Sequence, residues 1–135
     1  MAVAGWLLDK SAAARASEPG IVQQLADLTG ALCICPVGEL EQLYSARSAI
    51  DYDRLKKDLR ASLTVVEPPV DLLQRALELQ HALAHHHGMW HRTPIPDLLI
   101  AVTAIANGLG IVHVDRDFDR ISEVRALTAR RLTVQ

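Results

Sequence analysis

Length, composition and charge limit what this chain can be. Its 135 residues fit one domain, and half of them are apolar, which is enough for an aliphatic core. A formal net charge of -2 argues against a protein that coats nucleic acid through many Lys and Arg contacts to phosphate. Aromatic residues are only 4% of the chain, so base stacking is not expected to dominate any nucleic-acid site.

The first residues and the two cysteines bear on the cellular compartment. Residues 1–6 contain neither a basic segment nor an apolar stretch long enough for secretion or a membrane span, so we expect a cytoplasmic protein. Cys33 and Cys35 lack the CxxC spacing of a redox or zinc motif, and they predict no disulfide.

Apolar runs typical of strands alternate along the chain with runs typical of helices. In the first half the pattern predicts a strand over 3–8, a short helix over 11–16, a helix over 19–28, a strand over 31–35 and helices over 37–47 and 51–60. In the second half it predicts a strand over 63–66, a long helix over 70–86, a turn-rich segment over 88–96, a helix over 95–107 and a strand over 111–114. This order predicts an α/β sandwich around a mostly parallel sheet, in a single domain over residues 1–135.

Three helices have informative apolar faces. The helix over 95–107 is apolar on nearly every side, which predicts that it is buried. The long helix has an apolar stripe through Leu72, Leu73, Ala76, Leu77, Leu79 and Leu83. The helix over 37–47 has an apolar arc formed by Val37, Leu40, Leu43 and Tyr44.

Acidic residues follow several predicted strands. Asp9 comes directly after the first strand, and Glu39 and Glu41 follow the second. Asp115 follows the last predicted strand, and Asp97 begins the buried helix, where the helix dipole favours a carboxylate. Parallel strands would bring these acids to one edge of the sheet, where a divalent cation is the usual compensation for their repulsion. Taken singly, each is equally well explained as a solvated strand-end, helix-start or turn residue.

Four segments occur in an order and spacing that resembles the PIN-domain family. They are LLDKSA at 7–12, LE at 40–41 together with SARS at 45–48, IPDLLIA at 95–101 and HVDRDF at 113–118. Within this family the chain is most similar to the VapC ribonuclease toxins of bacterial toxin-antitoxin pairs. The resemblance covers nearly the whole chain and implies a three-layer α/β/α sandwich.

The resemblance also implies a Mg²⁺- or Mn²⁺-dependent endoribonuclease. Its catalytic, metal-binding acids would be Asp9, Glu41, Asp97 and Asp115, with Asp117 as an accessory ligand. Oxygen ligands suit these hard ions, one or two of which would activate a water. The implied partners are an RNA of unspecified sequence, a VapB-like antitoxin and a second copy in a homodimer, with no membrane.

Three neighbouring residues have alternative interpretations. Glu39 and Glu41 lie about 200° apart on a helix and cannot both face one pocket, and the family pattern favours Glu41. Ser11 resembles the family's hydroxyl residue, which would orient a carboxylate or a metal-bound water, but it equally fits a helix cap. Arg47, near the apolar side of its predicted helix, would bind a site carboxylate or an RNA phosphate, unless it forms an ordinary salt bridge or snorkels.

The histidines offer a competing metal site. His81 and His85 are spaced for one helical face, and His86, His87 and His91 follow them. No HExxH pattern and no nearby cysteine accompanies them, so a structural or surface role is favoured. His113 is expected in the last predicted strand near the acids, with no assigned role.

Other classes fit part of the pattern. A receiver-like phosphoacceptor domain would have a second acid beside the one after its first strand, and a haloacid-dehalogenase-like phosphatase would have DxD where this chain has Asp9, Lys10 and Ser11. A PIN-like RNA-binding protein without catalysis is the third alternative. Metal-dependent RNA cleavage distinguishes all three from the nuclease.

Overall fold

The computed structural model describes residues 3–114 and 117–133. The strands are β1 (Gly5–Leu8), β2 (Ala31–Ile34), β3 (Thr64–Val65), β4 (Gly110–His113) and β5 (Ala129–Arg131). The α-helices are α1 (Lys10–Ala13), α2 (Pro19–Ala26), α3 (Pro36–Tyr44), α4 (Ala49–Ser62), α5 (Leu72–His86), α6 (Ile95–Ala106) and α7 (Asp117–Ser122). A 3₁₀ turn, Trp90–Arg92, lies between α5 and α6.

The strands form one parallel sheet in the order β3-β2-β1-β4-β5. At its centre, Leu7 pairs with Cys33 on one side and with Ile111 on the other. The chain adds β2 and β3 on one side of β1 and then returns to place β4 on the other side. The topological switch point therefore lies between the carboxyl ends of β1 and β4, where Asp9 follows β1.

Helices cover both faces of this sheet. Leu7 and Ile111 point into a core shared with α5, α6 and α7. Their neighbours Trp6, Leu8 and Val112 point to the opposite face, into a core shared with α1 and α2. The predicted three-layer α/β/α sandwich with a parallel central sheet is confirmed.

Prolines lie at the starts of α3 and α6, which carry the predicted site acids Glu41 and Asp97. Pro36 is the first residue of α3 and Pro96 the second of α6, positions where a missing N–H costs no helical hydrogen bond. The apolar α6 is buried as predicted, with Ile100, Ala101 and Ala104 fully inaccessible.

The structure corrects two predicted apolar faces. On α5 the buried face is narrower than the predicted stripe, and Leu73 and Leu77 are 70% and 61% exposed. On α3, Leu40 and Tyr44 are 67% and 89% exposed, so half of the predicted arc faces solvent. A stripe of leucines marks a helix as amphipathic but does not say how much of its width the neighbouring elements cover.

The edge strand β5 was not predicted because its residues, Ala-Arg-Arg, contain no apolar run. It pairs with β4 through backbone hydrogen bonds, which carry no side-chain signal. Over the residues that the structure describes, no helix combines the length and apolar character needed to cross a membrane.

Candidate active site

An open cavity of about 390 Å³ lies at the switch point of the sheet. Its lining residues are Asp9, Lys10, Ser11, Ala14, Arg15, Glu41, Pro94, Asp97 and Asp117. Four of the five predicted metal ligands thus line one cavity, although they come from different parts of the chain. Asp115 lies outside the described residues, so its place in this set stays a prediction.

Asp9 lines the cavity and is only 3% exposed. Its Oδ1 accepts a hydrogen bond from the backbone N–H of Ser11 at 2.8 Å, and its Oδ2 accepts one from the Ser11 hydroxyl at 2.6 Å. The same hydroxyl oxygen accepts from the backbone N–H of Val114 at 3.0 Å. Ser11 therefore joins the carboxyl ends of β1 and β4, and the residue that caps α1 is Asp9.

Glu41 reaches the cavity from α3 with one carboxylate oxygen, Oε1, buried and without a hydrogen-bond partner among the described residues. Burial is the main cause that raises the pKa of Glu41, and repulsion from the Asp9 carboxylate raises it further. The Lys10 ammonium acts in the opposite direction. A buried acceptor beside a second carboxylate has the chemistry of a cation ligand, so this oxygen fits a hard divalent metal.

Glu39 lies on the other side of α3 and is 5% exposed. Its two carboxylate oxygens accept hydrogen bonds from Nε and Nη2 of Arg60 in α4, at 3.0 and 3.1 Å. This bidentate pair neutralises the buried charge. Between the two acids that the sequence left in competition, Glu41 lines the cavity and Glu39 joins two helices.

The remaining two acids stand at helix starts. Asp97 lies in the first turn of α6 and is 9% exposed, directly after the proline-rich segment that contributes Pro94 to the cavity wall. Asp117 is the first residue of α7 and is partly exposed.

Two contributors to the cavity carry no sequence signal of their own. The buried Gln42 donates a hydrogen bond from Nε2 to the carbonyl of Lys10 at 3.1 Å, which fixes α3 against α1. Arg15 lines the cavity six residues after Asp9 and also lies 3.6 Å from Glu18 in an ion pair. A chain-distant contact such as that of Gln42 becomes visible only in the folded structure.

Arg47 lies away from the cavity. The predicted helix over 37–47 ends at Tyr44, so Arg47 belongs to the exposed link before α4 and not to a helical apolar side. Its backbone N–H donates to the Asp51 carboxylate at 3.0 Å, while the Ser48 hydroxyl accepts from the backbone N–H of Asp51. This reciprocal cap starts α4 where it does. A role for the Arg47 guanidinium toward RNA stays a prediction.

The histidines separate into a surface group and one buried residue. His81, His85, His86 and His87 are exposed near the end of α5, and His91 is partly exposed in the following turn. His113 ends β4, fully buried as expected for a strand residue, and its Nε2 lies 3.4 Å from an oxygen of Asp119. None of these six residues lines the acidic cavity.

Comparison with known proteins agrees with this fold. A model of the PIN domain matches residues 3–124, and the chain therefore belongs to the PIN-domain family. The fold superimposes on VapBC2 from Rickettsia felis, solved bound to a DNA fragment from its promoter, with a TM-score of 0.73 and 16% identity over 96% of this chain and 99% of that one. At this identity the likeness shows the fold alone.

Closer relatives define the branch of the family. Ribonuclease VapC17 of Mycobacterium tuberculosis is 52% identical over 120 residues, which cover 89% of each chain. Ribonuclease VapC21 of the same organism is 40% identical over 121 residues, covering 88% of this chain and 87% of that one. Within the PIN-domain family, the chain is a member of the VapC ribonucleases.

Proposed function

We propose that this VapC-type protein is the toxin of a toxin-antitoxin pair and acts as an endoribonuclease at the acidic cavity. Asp9, Glu41, Asp97 and Asp115 would form the catalytic, metal-binding set, with Asp117 as an accessory ligand. The predicted single PIN-like domain over residues 1–135 is part of this proposal, supported by a family match that spans residues 3–124.

The buried Oε1 of Glu41 carries the proposal. An acceptor that is buried without a hydrogen-bond partner among the described residues is costly in a purely structural role. Glu39, two residues away on the same helix, has the Arg60 guanidinium, so the fold has the means to pair a buried carboxylate. A ligand from solution is the simplest compensation for Glu41, and Mg²⁺ or Mn²⁺ matches an all-oxygen set.

The groups in the cavity would have different roles in RNA hydrolysis. The bound metal would supply a water of lowered pKa and charge stabilisation at the phosphate. Ser11 keeps both oxygens of Asp9 in fixed positions through the contacts described above, which favours one arrangement of ligands. Lys10 and Arg15 place positive charge on the wall of the cavity, where it would attract the RNA phosphate backbone.

The proposed partners and cellular compartment follow from the assignment to the VapC ribonucleases. The relatives are named ribonucleases, which supports RNA as the substrate. Solved neighbours of this fold are toxin-antitoxin complexes, which supports a VapB-like antitoxin. An antitoxin Arg inserted among the cavity carboxylates would inhibit by pairing with them. A homodimer and a cytoplasmic location complete the proposal.

The test is cleavage by purified, untagged and antitoxin-free protein, with the RNA fragments sequenced. We expect site-specific cleavage that requires Mg²⁺ or Mn²⁺ and is abolished by EDTA. The variant Asp97→Asn should keep the fold and lose most of the activity, and Asp9→Asn should behave in the same way. RNA binding without cleavage by a folded, metal-loaded wild type would support the non-catalytic alternative. Wild-type rates from Asp97→Asn would place the chemistry elsewhere.

A further inference from the structure

The second cluster of metal-ligating side chains lies on the surface, at the end of α5. His86, His87 and Glu123 each present one donor atom, and these atoms all lie within 4.8 Å of one another. His86 Nε2 is already 3.6 Å from Glu123 Oε1. This spacing is close to the edge of a tetrahedral zinc site, which is about 3.4 Å for metal-ligand bonds of about 2.1 Å.

The backbone explains how neighbouring histidines converge. Successive residues of a helix point about 100° apart, which would separate the two rings. α5 ends at His86, however, and His87 adopts an extended conformation with φ -141° and ψ 143°. The two rings consequently meet edge to face with their centroids 4.8 Å apart, and both contact the Trp90 ring, at 5.4 and 4.7 Å. The indole limits the rotation of both imidazoles.

The third donor comes from a distant part of the sequence. Glu123 follows α7 directly, and its backbone N–H donates to the carbonyl of Arg120 in a closing turn. Its side chain is 54% exposed, and that of His86 is 37% exposed, so both have room to close around an ion. The cluster therefore joins the end of α5 to the end of α7.

We propose that His86, His87 and Glu123 bind one Zn²⁺ ion that clamps these two helix ends. Two imidazoles and a carboxylate form a ligand set used for zinc, with a fourth position left for water. Imidazole nitrogens suit Zn²⁺, Ni²⁺ and Cu²⁺, whereas Mg²⁺ requires oxygen ligands, so this site and the acidic cavity select different ions. A cation at this position also complements the carboxyl end of the α5 dipole.

The clamp would steady two segments that lead into the cavity. The chain after α5 passes through the Trp90–Arg92 turn to Pro94 in the cavity wall, and α7 begins at Asp117 in the same wall. Arg120, whose guanidinium lies 5.3 Å from the centroid of the Trp90 ring, adds a positive charge to this surface and works against a bound cation. The expected role is structural, independent of whether the cavity cleaves RNA.

The experiment is calorimetric titration of Zn²⁺ into the full, untagged chain in excess Mg²⁺, which occupies the acidic cavity without competing for imidazole. We expect one equivalent of Zn²⁺ in the wild type and in Asp97→Asn. His87→Ala and Glu123→Gln should each weaken binding by about tenfold or more, because they remove a direct ligand. His81→Ala, an exposed histidine of the same helix outside the cluster, is the matched control and should bind as the wild type does.

Thermal melts provide a second readout. Zn²⁺ should raise the melting temperature of the wild type and of His81→Ala, and at the same Zn²⁺ concentration it should raise that of His87→Ala and Glu123→Gln by less. The inference is overturned if the wild type takes up no Zn²⁺ in excess Mg²⁺, or if both ligand variants still bind it as the wild type does. Equal loss in His81→Ala would also overturn it, since the site would then lie elsewhere in the histidine run.

Discussion

Glu39 and Glu41 stand two residues apart on α3, and the fold surrounds them in opposite ways. Glu39 is buried against Arg60, whose guanidinium makes two hydrogen bonds to it. Glu41 turns toward Asp9, and its pKa is raised by burial and by that neighbouring charge. On one side of α3 the carboxylate is paired with a guanidinium, while on the other side two carboxylates repel each other, which a bound cation would relieve. The contrast separates a carboxylate that joins two helices from one that we propose binds metal.

The largest expected effect tests which side of α3 is catalytic. Glu41→Gln should lower the ribonuclease rate by about a hundredfold or more, since even residues that only orient metal ligands are worth roughly 10–100-fold. Glu39→Gln should lower it by less than about tenfold, because Gln can still accept a hydrogen bond from Arg60. Single-turnover cleavage of one RNA by both purified variants makes the comparison. Equal losses would remove the distinction between the two acids.

Mn²⁺ binding should also stabilise the Glu39 and Glu41 variants by different amounts. Mn²⁺ at a hundredfold excess over its dissociation constant should stabilise the wild type by about 2.7 kcal/mol if only the native state binds it. Glu39→Gln should keep this stabilisation and Glu41→Gln should lose much of it. Urea unfolding with and without Mn²⁺ measures both. A full Mn²⁺ response in Glu41→Gln would mean that the stabilising ion sits outside the cavity.

The contact between Glu39 and Arg60 is tested by removing the Arg60 guanidinium. Arg60→Met would leave Glu39 buried without its partner and should destabilise the protein by about 1–3 kcal/mol, a reduced range because the Arg60 side chain is 53% exposed. The double variant Glu39→Met with Arg60→Met should be destabilised by less than the sum of the single changes. Urea unfolding of all four proteins completes the cycle. Strict additivity would mean that the contact contributes nothing.

The sequence locates the acids well because parallel-sheet connectivity is a strong constraint. Asp9 follows β1, and a β/α alternation with parallel strands puts the carboxyl ends of β1 and β4 at the same edge of the sheet. Helix geometry predicts that Glu39 and Glu41 diverge, but not which of them meets a partner. That outcome depends on Arg60, 21 residues further along, and it exists only once α3 and α4 have packed.

The sequence does not predict several other features of the structure, for related reasons. β5 is held by backbone pairing at a sheet edge, which leaves no apolar signature. Leu73 and Leu77 have the spacing of a buried stripe, yet no described element covers that side of α5, and they stay exposed. The link containing Arg47 is set by the cap between Ser48 and Asp51, a local choice that competes with helix continuation.

The smallest expected effect concerns pH and the metal-free protein. The pKa of Glu41 is raised in the folded state. At a pH between the ordinary and the raised pKa, Glu41 therefore keeps its proton in the native protein and loses it in the unfolded chain. Native stability therefore falls as pH rises through that window, and above it the folded protein carries the full cost of the ionised carboxylate. Glu41→Gln removes the cost, so its stability relative to the wild type should increase with pH.

The measurement is urea unfolding in EDTA from about pH 4 to about pH 8, for the wild type, Glu41→Gln and the charge-matched exposed variant Glu67→Gln. The gain from Glu41→Gln should grow across the range and should exceed that from Glu67→Gln, because burial and the Asp9 carboxylate act on Glu41. Saturating Mn²⁺ should reverse the sign, since the ionised carboxylate then gains a cation that Gln holds less well. The stability gained by Glu41→Gln could instead be constant with pH, or unchanged by Mn²⁺. Either result would mean that Glu41 does not carry an uncompensated charge, and the proposed difference between Glu41 and Glu39 would be wrong.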